Sequence, residues 1–300
     1  MPRLPLPHPL IEQPFRTRDS GLTAKRLRGF DLDRSVWGVR SQLTAVEDEF
    51  IERCRMFAVR MPLGAFFSHG TAALLMGVPL PYALEKDGRL HIGVTAPARA
   101  PHATGIVGHR LDVAVEELIT VGGLPTTSAA RTWCDLAKML SPHDLVAAGD
   151  FLLYWRRPLT TLSTLQRLSR SCTGKRGMAV IREALPLLNN RSESRPESHL
   201  RVILAHAGLP HPRVNHEIVL TEDGSFVRTD LAFDTLRVLI EYQGDYHRKV
   251  QGQWRKDMTR RSRLEAQDWV VIELNANDLR DPDELASRIR MILRRRGWRP

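Results

Sequence analysis

Apolar residues recur at helical spacing through the part of the chain from about residue 46 to 155. Within Ala45 to Arg60 they fall on one helical face, and FFSHGTAALLMGVPLP predicts a short apolar helix that Ser68 caps. RLHIGVT predicts a strand, GLPTTSAARTWCDLAKML predicts a turn followed by a helix, and Leu145 to Trp155 predicts another helix. We therefore expect a small α+β domain over residues 46 to 155.

The other stretches before residue 196 are less regular. Residues 1 to 45 are rich in proline, arginine and turn-forming residues and show no convincing helix-turn-helix pattern. We expect an extended arm or a small subdomain there. Residues 156 to 195 predict a helical connector that ends in the polar segment NNRSESRPES, so a domain boundary is expected near residue 190.

The last stretch, 196 to 300, has the clearest pattern. A helix near Pro196 precedes three strand candidates, and a polar helix, the strand WVVIEL and a final helix follow them. Asp223-Gly224 is a hairpin signal between the first two strands. The strand candidates are Val214 to Leu220, Phe226 to Phe233 and Arg237 to Tyr242. This order predicts an α/β protein, with a mixed sheet flanked by helices after the smaller α+β domain.

Composition narrows the class of protein. The chain has 42% hydrophobic residues, a net charge of +10 and a pI near 10.1. A basic protein attracts polyanions, so nucleic acid is the expected partner, and a basic surface that serves only solubility is the alternative. No run approaches the roughly 18 to 20 apolar residues of a membrane span, and proline and histidine interrupt the N-terminal segment. We expect a cytoplasmic protein with no membrane partner.

The cysteines do not indicate a metal site. Cys54, Cys134 and Cys172 are far apart, odd in number, and form neither a CxxC pair nor a Cys/His zinc spacing. Each is expected to be a small buried hydrophobic residue, so zinc is not expected from this pattern.

Two acidic residues occupy strands that are otherwise apolar. If the hairpin turns around residues 235 and 236, Phe233 faces Val238, and the continued register places Asp230 opposite Glu241. Cross-strand Cβ atoms are about 4.5 to 5.5 Å apart, so the two charges repel unless a cation lies between them. Carboxylates suit a hard ion such as Mg²⁺ or Mn²⁺. Two solvated carboxylates on an open sheet face are the alternative.

Three further side chains are candidates for the same site. Gln243 lies two residues beyond Glu241, so it projects on the same face, and His247 follows in the loop. Glu197 on the preceding helix is the favoured third carboxylate, although Glu193 competes with it. Each also has a plain explanation as a polar residue at the end of an element. Together, an acid pair, an amide and an imidazole can activate water for phosphodiester hydrolysis.

The polar helix after residue 250 concentrates positive charge. Arg255, Lys256, Arg260 and Arg261 are candidates for contacts with DNA phosphates beside the cleavage site. A solvated helix with an internal ion pair between Asp257 and Arg261 explains the same residues without DNA.

The stretch from Glu197 to EYQGDYH resembles the nuclease domain related to very-short-patch repair endonucleases, within the PD-(D/E)XK superfamily. The resemblance covers about residues 195 to 295 and includes RKDMTRRSRLEAQDWVVIEL. In that segment, Asp257 and Arg260 match the polar pair on the family's helix, and the family's last core strand follows. The resemblance implies a DNA endonuclease that uses Mg²⁺ or Mn²⁺.

The same resemblance implies roles position by position. Asp230 and Glu241 would be metal ligands, Glu197 would be the helix glutamate, and His247 would assist the attacking water or the leaving group. Gln243 departs from the family, which has a lysine or an aspartate there. A glutamine can orient water or a phosphate oxygen, but it carries no charge.

The first half of the chain resembles a different family, the abortive-infection (type IV) antitoxins. The similar pieces are FSHGTAALLMGVPLP, GLPTTSAARTWCDLAKML and DLVAAGDFLL. In that family a winged helix that binds operator DNA precedes this domain. The resemblance implies an N-terminal domain that positions substrate or a partner protein. Ser68 and His69 are adjacent, so we expect Ser68 to cap a helix rather than to act as a nucleophile.

Two functions from different classes follow. The first is a metal-dependent endonuclease that hydrolyses DNA phosphodiester bonds, in DNA repair or in defence against phage or mobile elements. The second is a non-catalytic DNA-binding regulator of antitoxin type, whose nuclease-like domain is a scaffold. Gln243 favours the regulator, whereas the acid pair and His247 favour the enzyme. Hydrolysis of RNA or of branched or mismatched duplexes is a weaker variant of the first function.

Overall fold

The computed structural model describes residues 5–43, 48–172, 176–220, 224–244 and 251–299, the last range with side chains from residue 259 onward. The chain divides into two compact units. The first comprises Met1–Gly77 and Tyr82–Ser128, and the second comprises Val78–Pro81 and Ala129–Pro300. Both units contain mixed α and β structure, which confirms the predicted α/β class.

The first unit is built from short elements. Its helices are α1 (His8–Glu12), α2 (Ala24–Leu27), α3 (Glu49–Ala58), α4 (His69–Leu75) and α5 (Tyr82–Glu85). Its strands are β1 (Phe15–Arg16), β2 (Leu32–Asp33), β3 (Val39–Gln42), β4 (Phe66–Phe67), β5 (Leu90–Val94), β6 (Ile106–Arg110), β7 (Leu118–Val121) and β8 (Leu124–Thr127). A 3-10 turn, Thr17–Asp19, follows β1.

Two sheets organise this unit. One is antiparallel with the order β1-β3-β2, and the other has the order β6-β5-β4-β8-β7. In the second sheet β5 pairs with β6 and β4 pairs with β8 in parallel, while the remaining pairs are antiparallel. Helix α3 begins at Glu49, because the Asp48 side chain accepts hydrogen bonds from the backbone N–H groups of Phe50 and Ile51. Ala45, where the predicted helix begins, lies outside the described residues.

The second unit contains longer helices. They are α6 (Ala129–Leu136), α7 (Pro142–Leu153), α8 (Leu162–Ser171), α9 (Met178–Ala184), α10 (Arg195–His206), α11 (Gln251–Ala266) and α12 (Pro282–Arg295). The strands are β9 (Arg213–Val219), β10 (Phe226–Phe233), β11 (Val238–Tyr242) and β12 (Val270–Leu274). Across the described ranges, no helix combines the length and the apolar character needed to cross a membrane.

The sheet of the second unit has the order β12-β11-β10-β9. Strands β9, β10 and β11 are antiparallel to one another in turn, and β12 is parallel to β11. Phe233 pairs with Val238, which confirms the register predicted from the sequence. At the first hairpin, Gly224 has a positive φ of 70° and donates its N–H to the Leu220 carbonyl at 3.0 Å. Asp223 lies outside the described residues.

Apolar clusters cover both faces of this sheet. Leu200 and Leu204 of α10 pack with Leu285 and Ile289 of α12 against one face, which also buries Leu231. Leu264 of α11 packs against the other face, with Val227, Ala232 and Leu239 from the sheet. The sheet is therefore flanked by helices on both sides, in agreement with the predicted architecture.

The predicted boundary near residue 190 falls inside the second unit, because a buried polar network joins α7 to α10. Asp150 of α7 accepts hydrogen bonds from the Asn189 N–H at 2.6 Å, from the Ser198 hydroxyl at 2.6 Å and from the Arg201 guanidinium. Asp150 is 1% exposed. Residues on both sides of position 190 thus share one set of buried hydrogen bonds.

Candidate active site

Asp230 and Glu241 lie where the pairing between β10 and β11 ends. The paired positions stop at Leu231 and Ile240, and the next residue on each strand is one of the two acids. Here Tyr242 donates its backbone N–H to Oδ2 of Asp230 at 2.7 Å. The acid therefore takes over an acceptor position that a backbone carbonyl occupies elsewhere in the sheet, which fixes the orientation of its carboxylate.

Glu197 approaches this point from α10, where it takes part in the helix cap. Ser194 precedes the helix, and its hydroxyl accepts from the Glu197 N–H at 3.3 Å. The Glu197 carboxylate accepts from the Ser194 hydroxyl at 2.7 Å, from the Glu193 N–H at 3.0 Å and from Nδ2 of Asn215 at 2.9 Å. The favoured third carboxylate is buried and firmly held, and its role as a direct metal ligand stays a prediction.

Asn215 connects Glu197 with the strand that carries Asp230. The neighbours of Asn215 on β9 pair with the neighbours of Asp230 on β10, so the two residues lie across from each other. Asn215 has a φ of 48°, in the left-handed region that asparagine tolerates better than most residues. Its side-chain amide donates to Glu197, so helix cap and strand end form one hydrogen-bonded unit.

Glu193, the competing acid, is bound elsewhere. Its carboxylate accepts from the Tyr154 hydroxyl at 2.9 Å and from the Arg228 guanidinium. Partial burial works against ionisation, but the hydrogen bonds from Arg228 and Tyr154 outweigh it and lower the pKa of Glu193. Glu193 is therefore a charged, paired residue at the periphery.

Burial and like charge oppose ionisation of the inner acids. Burial raises the pKa of Asp230, although the hydrogen bond from Tyr242 and the charge of Arg260 act in the other direction. Burial also raises the pKa of Glu197, and the negative charge of nearby Asp230 adds to that shift. Positive charge beside these groups stabilises their ionised forms.

A positive side chain already faces Glu241. Arg260 of α11 donates to Oε1 of Glu241 and to the carbonyl oxygen of Arg228. Arg261 instead pairs with Glu265 at 2.8 Å and lies 3.6 Å from Glu273, the β12 partner of Glu241 in the register. Of the predicted DNA-contacting residues, Arg260 thus belongs to the acid site, and Arg261 lies beside it on the exposed side.

Gln243 extends the edge of the site beyond β11. Its backbone N–H donates to the Leu274 carbonyl at 2.6 Å, which keeps the chain beside β12. Because side chains alternate along an extended chain, Gln243 and Glu241 project on the same side. His247 and the side chains of Arg255 and Lys256 lie outside the described residues.

The donor types of Asp230 and Glu241 fit a hard divalent cation. Mg²⁺ is usually bound by one or two carboxylates and keeps several water molecules, so the pair is sufficient without a direct bond to Glu197. This is consistent with the observed distances, because Glu197, Asp230 and Glu241 do not form a cluster in which all ligand atoms lie within 4.8 Å.

Three histidines of the first unit do form such a cluster. One ring nitrogen from each of His69, His91 and His109 lies within 4.8 Å of the others. Within the part of the chain that the structure describes, no other group of three or more His, Cys, Asp or Glu side chains is this compact. The sequence does not predict this cluster, because its members are far apart in the chain and match no ligand spacing.

The expectation that the Ser68 side chain caps α4 is wrong. Ser68 occupies the N-cap position but makes no side-chain cap hydrogen bond. Its hydroxyl instead lies 3.1 Å from Nδ1 of His69. The adjacent side chains meet because His69 has a φ of 48°, which turns the chain back on itself at the start of the helix.

A basic cavity lies beside the small sheet of the first unit. Its volume is about 640 Å³, and the described residues that line it include five arginines and no acid. Trp37 at its rim is 82% exposed, and the Arg60 guanidinium lies 5.2 Å from the centre of its ring. The arginines are Arg16, Arg18, Arg34, Arg40 and Arg60. Clustered guanidinium groups next to an exposed aromatic ring suit a phosphate-rich ligand.

Comparison with known proteins gives similarity without a function. Two uncharacterized proteins of Mycobacterium tuberculosis, from strains CDC 1551 and H37Rv, are each 28% identical to this chain over 247 residues. Each match covers 82% of this chain and 87% of the relative. The crystal structure of the RV2827C protein from Mycobacterium tuberculosis is similar over 55% of this chain and 61% of that chain, with 17% identity and a TM-score of 0.36. No family model matches the chain.

Proposed function

We propose that this protein is a metal-dependent endonuclease that hydrolyses DNA phosphodiester bonds. The observation that carries the proposal is the juxtaposition of Asp230 and Glu241 at the point where β10 and β11 stop pairing. Two acids that lie opposite each other in a hairpin register repel each other unless positive charge lies beside them. At two half-buried positions, that arrangement is unfavourable for stability and favourable for holding a cation.

The order of elements around the acid pair supports the proposal. Helix α10, three antiparallel strands, α11, the parallel strand β12 and α12 follow one another along the chain. This is the order predicted from the sequence pattern of the segment that resembles PD-(D/E)XK nucleases. The resemblance also assigns the metal ligands to the same two strands, so sequence and geometry favour one site.

The groups of the chain have distinct tasks in this proposal. A Mg²⁺ or Mn²⁺ ion, when bound, supplies Lewis-acid activation of water and phosphate. Asp230 and Glu241 hold the ion, and Gln243 orients water or a phosphate oxygen from the same face. Arg260 lies close enough to Glu241 to compensate charge before the ion and the substrate bind. The proton-transfer role of His247 stays a prediction from the sequence.

The proposal is tested by incubating the purified full chain with supercoiled plasmid DNA and Mg²⁺ or Mn²⁺. We expect nicked or linear product with either ion and none in the presence of a chelator, because the carboxylate pair cannot activate water alone. Labelled linear duplex, single-stranded DNA and RNA define the substrate class. If the protein cleaves none of these substrates with either ion, the proposed endonuclease activity is wrong.

The basic cavity favours a second candidate, a DNA-binding regulator without catalysis. In residues 5–43, a helix, a strand, a 3-10 turn, a second helix and two strands follow in order, and the last strand lies between the other two. This is the arrangement of a small winged helix, the element that antitoxin-family proteins use to bind operator DNA. The contact between Arg260 and Glu241 also favours this candidate, because a guanidinium occupies the side of the acid that a cation needs.

Arg34→Ala is expected to weaken binding to duplex DNA of any sequence. Arg34 is exposed at the cavity, and each lost phosphate contact lowers the slope of log affinity against log salt by about 0.9. Fluorescence anisotropy with a labelled duplex over a series of salt concentrations measures both quantities. Arg157→Ala, at an exposed arginine of the second unit, is the matched control. Equal slopes for the Arg34 variant and wild type would exclude the cavity as the DNA site.

A further inference from the structure

The proposed nuclease site makes no use of the histidine cluster of the first unit. We propose that His69, His91 and His109 form a zinc-binding site that cross-links α4, β5 and β6.

Strand pairing places two of the histidines on one face of the five-stranded sheet. In the parallel pair of β5 and β6, His91 is opposite Val107 and His109 is opposite Gly93, so the two rings are diagonal neighbours. Nδ1 of His91 lies 2.9 Å from Nε2 of His109. Gly93 has no side chain, and a Cβ atom there would lie 2.3 Å from the Phe66 ring, so that ring covers the position beside His109 on the same face.

Backbone hydrogen bonds fix the third histidine next to this pair. The Ser68 N–H donates to the His91 carbonyl at 3.0 Å, and the His91 N–H donates to the Thr71 hydroxyl at 2.8 Å. The start of α4 is thereby attached to β5 on both sides of His69. The ring of His69 lies 3.9 Å from that of His109 and 5.6 Å from that of His91, measured between centroids.

The backbone of His69 has an unusual conformation at this point. Its φ of 48° is uncommon for a residue with a side chain, and such conformations concentrate at ligand sites. The conformation brings the ring over His109 and its Nδ1 to 3.1 Å from the Ser68 hydroxyl. A hydroxyl that is hydrogen-bonded to Nδ1 fixes the orientation of the ring and leaves the other nitrogen, Nε2, for a metal.

The three nitrogen donors favour a metal ion of intermediate hardness rather than the hard ion Mg²⁺. Three imidazoles and no carboxylate suit Zn²⁺, Cu²⁺ or Ni²⁺, and tetrahedral zinc accepts three histidines with water as the fourth ligand. Zn–N bonds of about 2.0 to 2.1 Å separate tetrahedral ligand atoms by about 3.3 Å. The three nitrogens lie within 4.8 Å, and the rings are stacked at interplanar angles of 12° to 28°, so metal binding requires the rings to turn until their nitrogens converge on the ion. His109 is partly exposed, which provides a route for the ion and for water.

A second group of histidines shows a different arrangement. In the second unit, the ring of His143 lies edge-on to those of His199 and His206. Nε2 of His199 lies 3.0 Å from Asp144, and Nε2 of His206 lies 3.1 Å from Glu183. Each of these two rings therefore has a carboxylate partner, whereas Nδ1 of His91 faces the nitrogen of another imidazole. Two facing imidazole nitrogens are the arrangement that a shared cation stabilises.

Cobalt substitution tests the site in the full chain. Chelator-treated wild type is titrated with Co²⁺ and then with Zn²⁺, and we expect one equivalent of Co²⁺ with the intense visible absorption of a tetrahedral complex, displaced by Zn²⁺. His91→Ala and His109→Gln are each expected to weaken binding by at least about 100-fold, because they leave only two ligands. Circular dichroism of the metal-free variants shows whether they are folded.

Two controls separate this site from the others. His143→Ala removes a histidine from the second group, and Glu217→Gln removes an exposed carboxylate of the second-unit sheet; both are expected to give the tetrahedral cobalt absorption of wild type. X-ray absorption of zinc-loaded wild type counts the imidazole ligands without any variant. Absence of tetrahedral cobalt absorption in wild type, or unchanged binding in both folded histidine variants, would show that the rings form only a hydrogen-bonded stack.

Discussion

Asp230→Asn is expected to lower the rate of metal-dependent DNA cleavage by at least about 10³-fold while the fold stays intact. Asparagine has nearly the same shape, and its Oδ1 can still accept the Tyr242 N–H that Asp230 accepts at 2.7 Å. The variant loses the negative charge that holds the cation. A bound metal contributes several kcal/mol of transition-state stabilisation, and each 1.36 kcal/mol corresponds to about tenfold in rate.

The matched control for this variant is Glu217→Gln. Glu217 lies on β9 of the same sheet and is exposed, so its replacement removes one negative charge without touching the acid pair. Single-turnover cleavage of plasmid DNA compares the rates, and thermal unfolding compares the stabilities. If Asp230→Asn cleaves DNA at the wild-type rate, the activity does not come from this pair, and the metal ligands proposed here are wrong.

The second-unit sheet was predictable because its decisive information is local. Only a short turn separates β10 from β11, so the register that pairs Phe233 with Val238 and leads to Asp230 and Glu241 follows from the turn position alone. The partners of the two acids were not predictable in the same way. Glu241 meets Arg260, 19 residues later, only after α11 has folded back over the sheet.

Much of the first unit escaped prediction because its elements are short. Helices α1 and α2 have five and four residues, too few for a helical period to be visible, so the pattern of residues 1 to 45 gave no helix-turn-helix. Strand β6 is paired along one edge only and has no buried residue, so it lacks the alternation that marks a half-buried strand.

The histidine cluster has a sequence signal, although a weak one. His91 interrupts the apolar strand LHIGV, and His109 interrupts IVGHR. A histidine in each of two short strands, with a third at the start of a helix, indicates a cluster only when the strand order is known. Because β5 and β6 are joined through a crossover, their parallel pairing depends on tertiary structure.

Asp150→Ala is expected to lower the free energy of unfolding by about 3 to 5 kcal/mol, the cost of breaking a buried ion pair by removing one partner. Asp150 accepts hydrogen bonds from Asn189, Ser198 and Arg201, and the side chains of Asp150 and Arg201 are 2% and 10% exposed. Without the carboxylate, a buried guanidinium loses its counter-ion. Two further donors lose their acceptor, in a region that joins α7 to α10.

Denaturant unfolding at pH 8 measures this effect. Burial raises the pKa of Asp150 to about 6, against the opposing charge of Arg201, so at pH 8 the carboxylate is ionised and the pair is complete. Asp268→Asn is the matched control, because it removes the charge that pairs with Arg296 where the carboxylate is 68% exposed, and asparagine tolerates the φ of 65° at this position. An exposed pair contributes about 0 to 1 kcal/mol, so equal losses in the two variants would show that burial does not strengthen the contribution of Asp150.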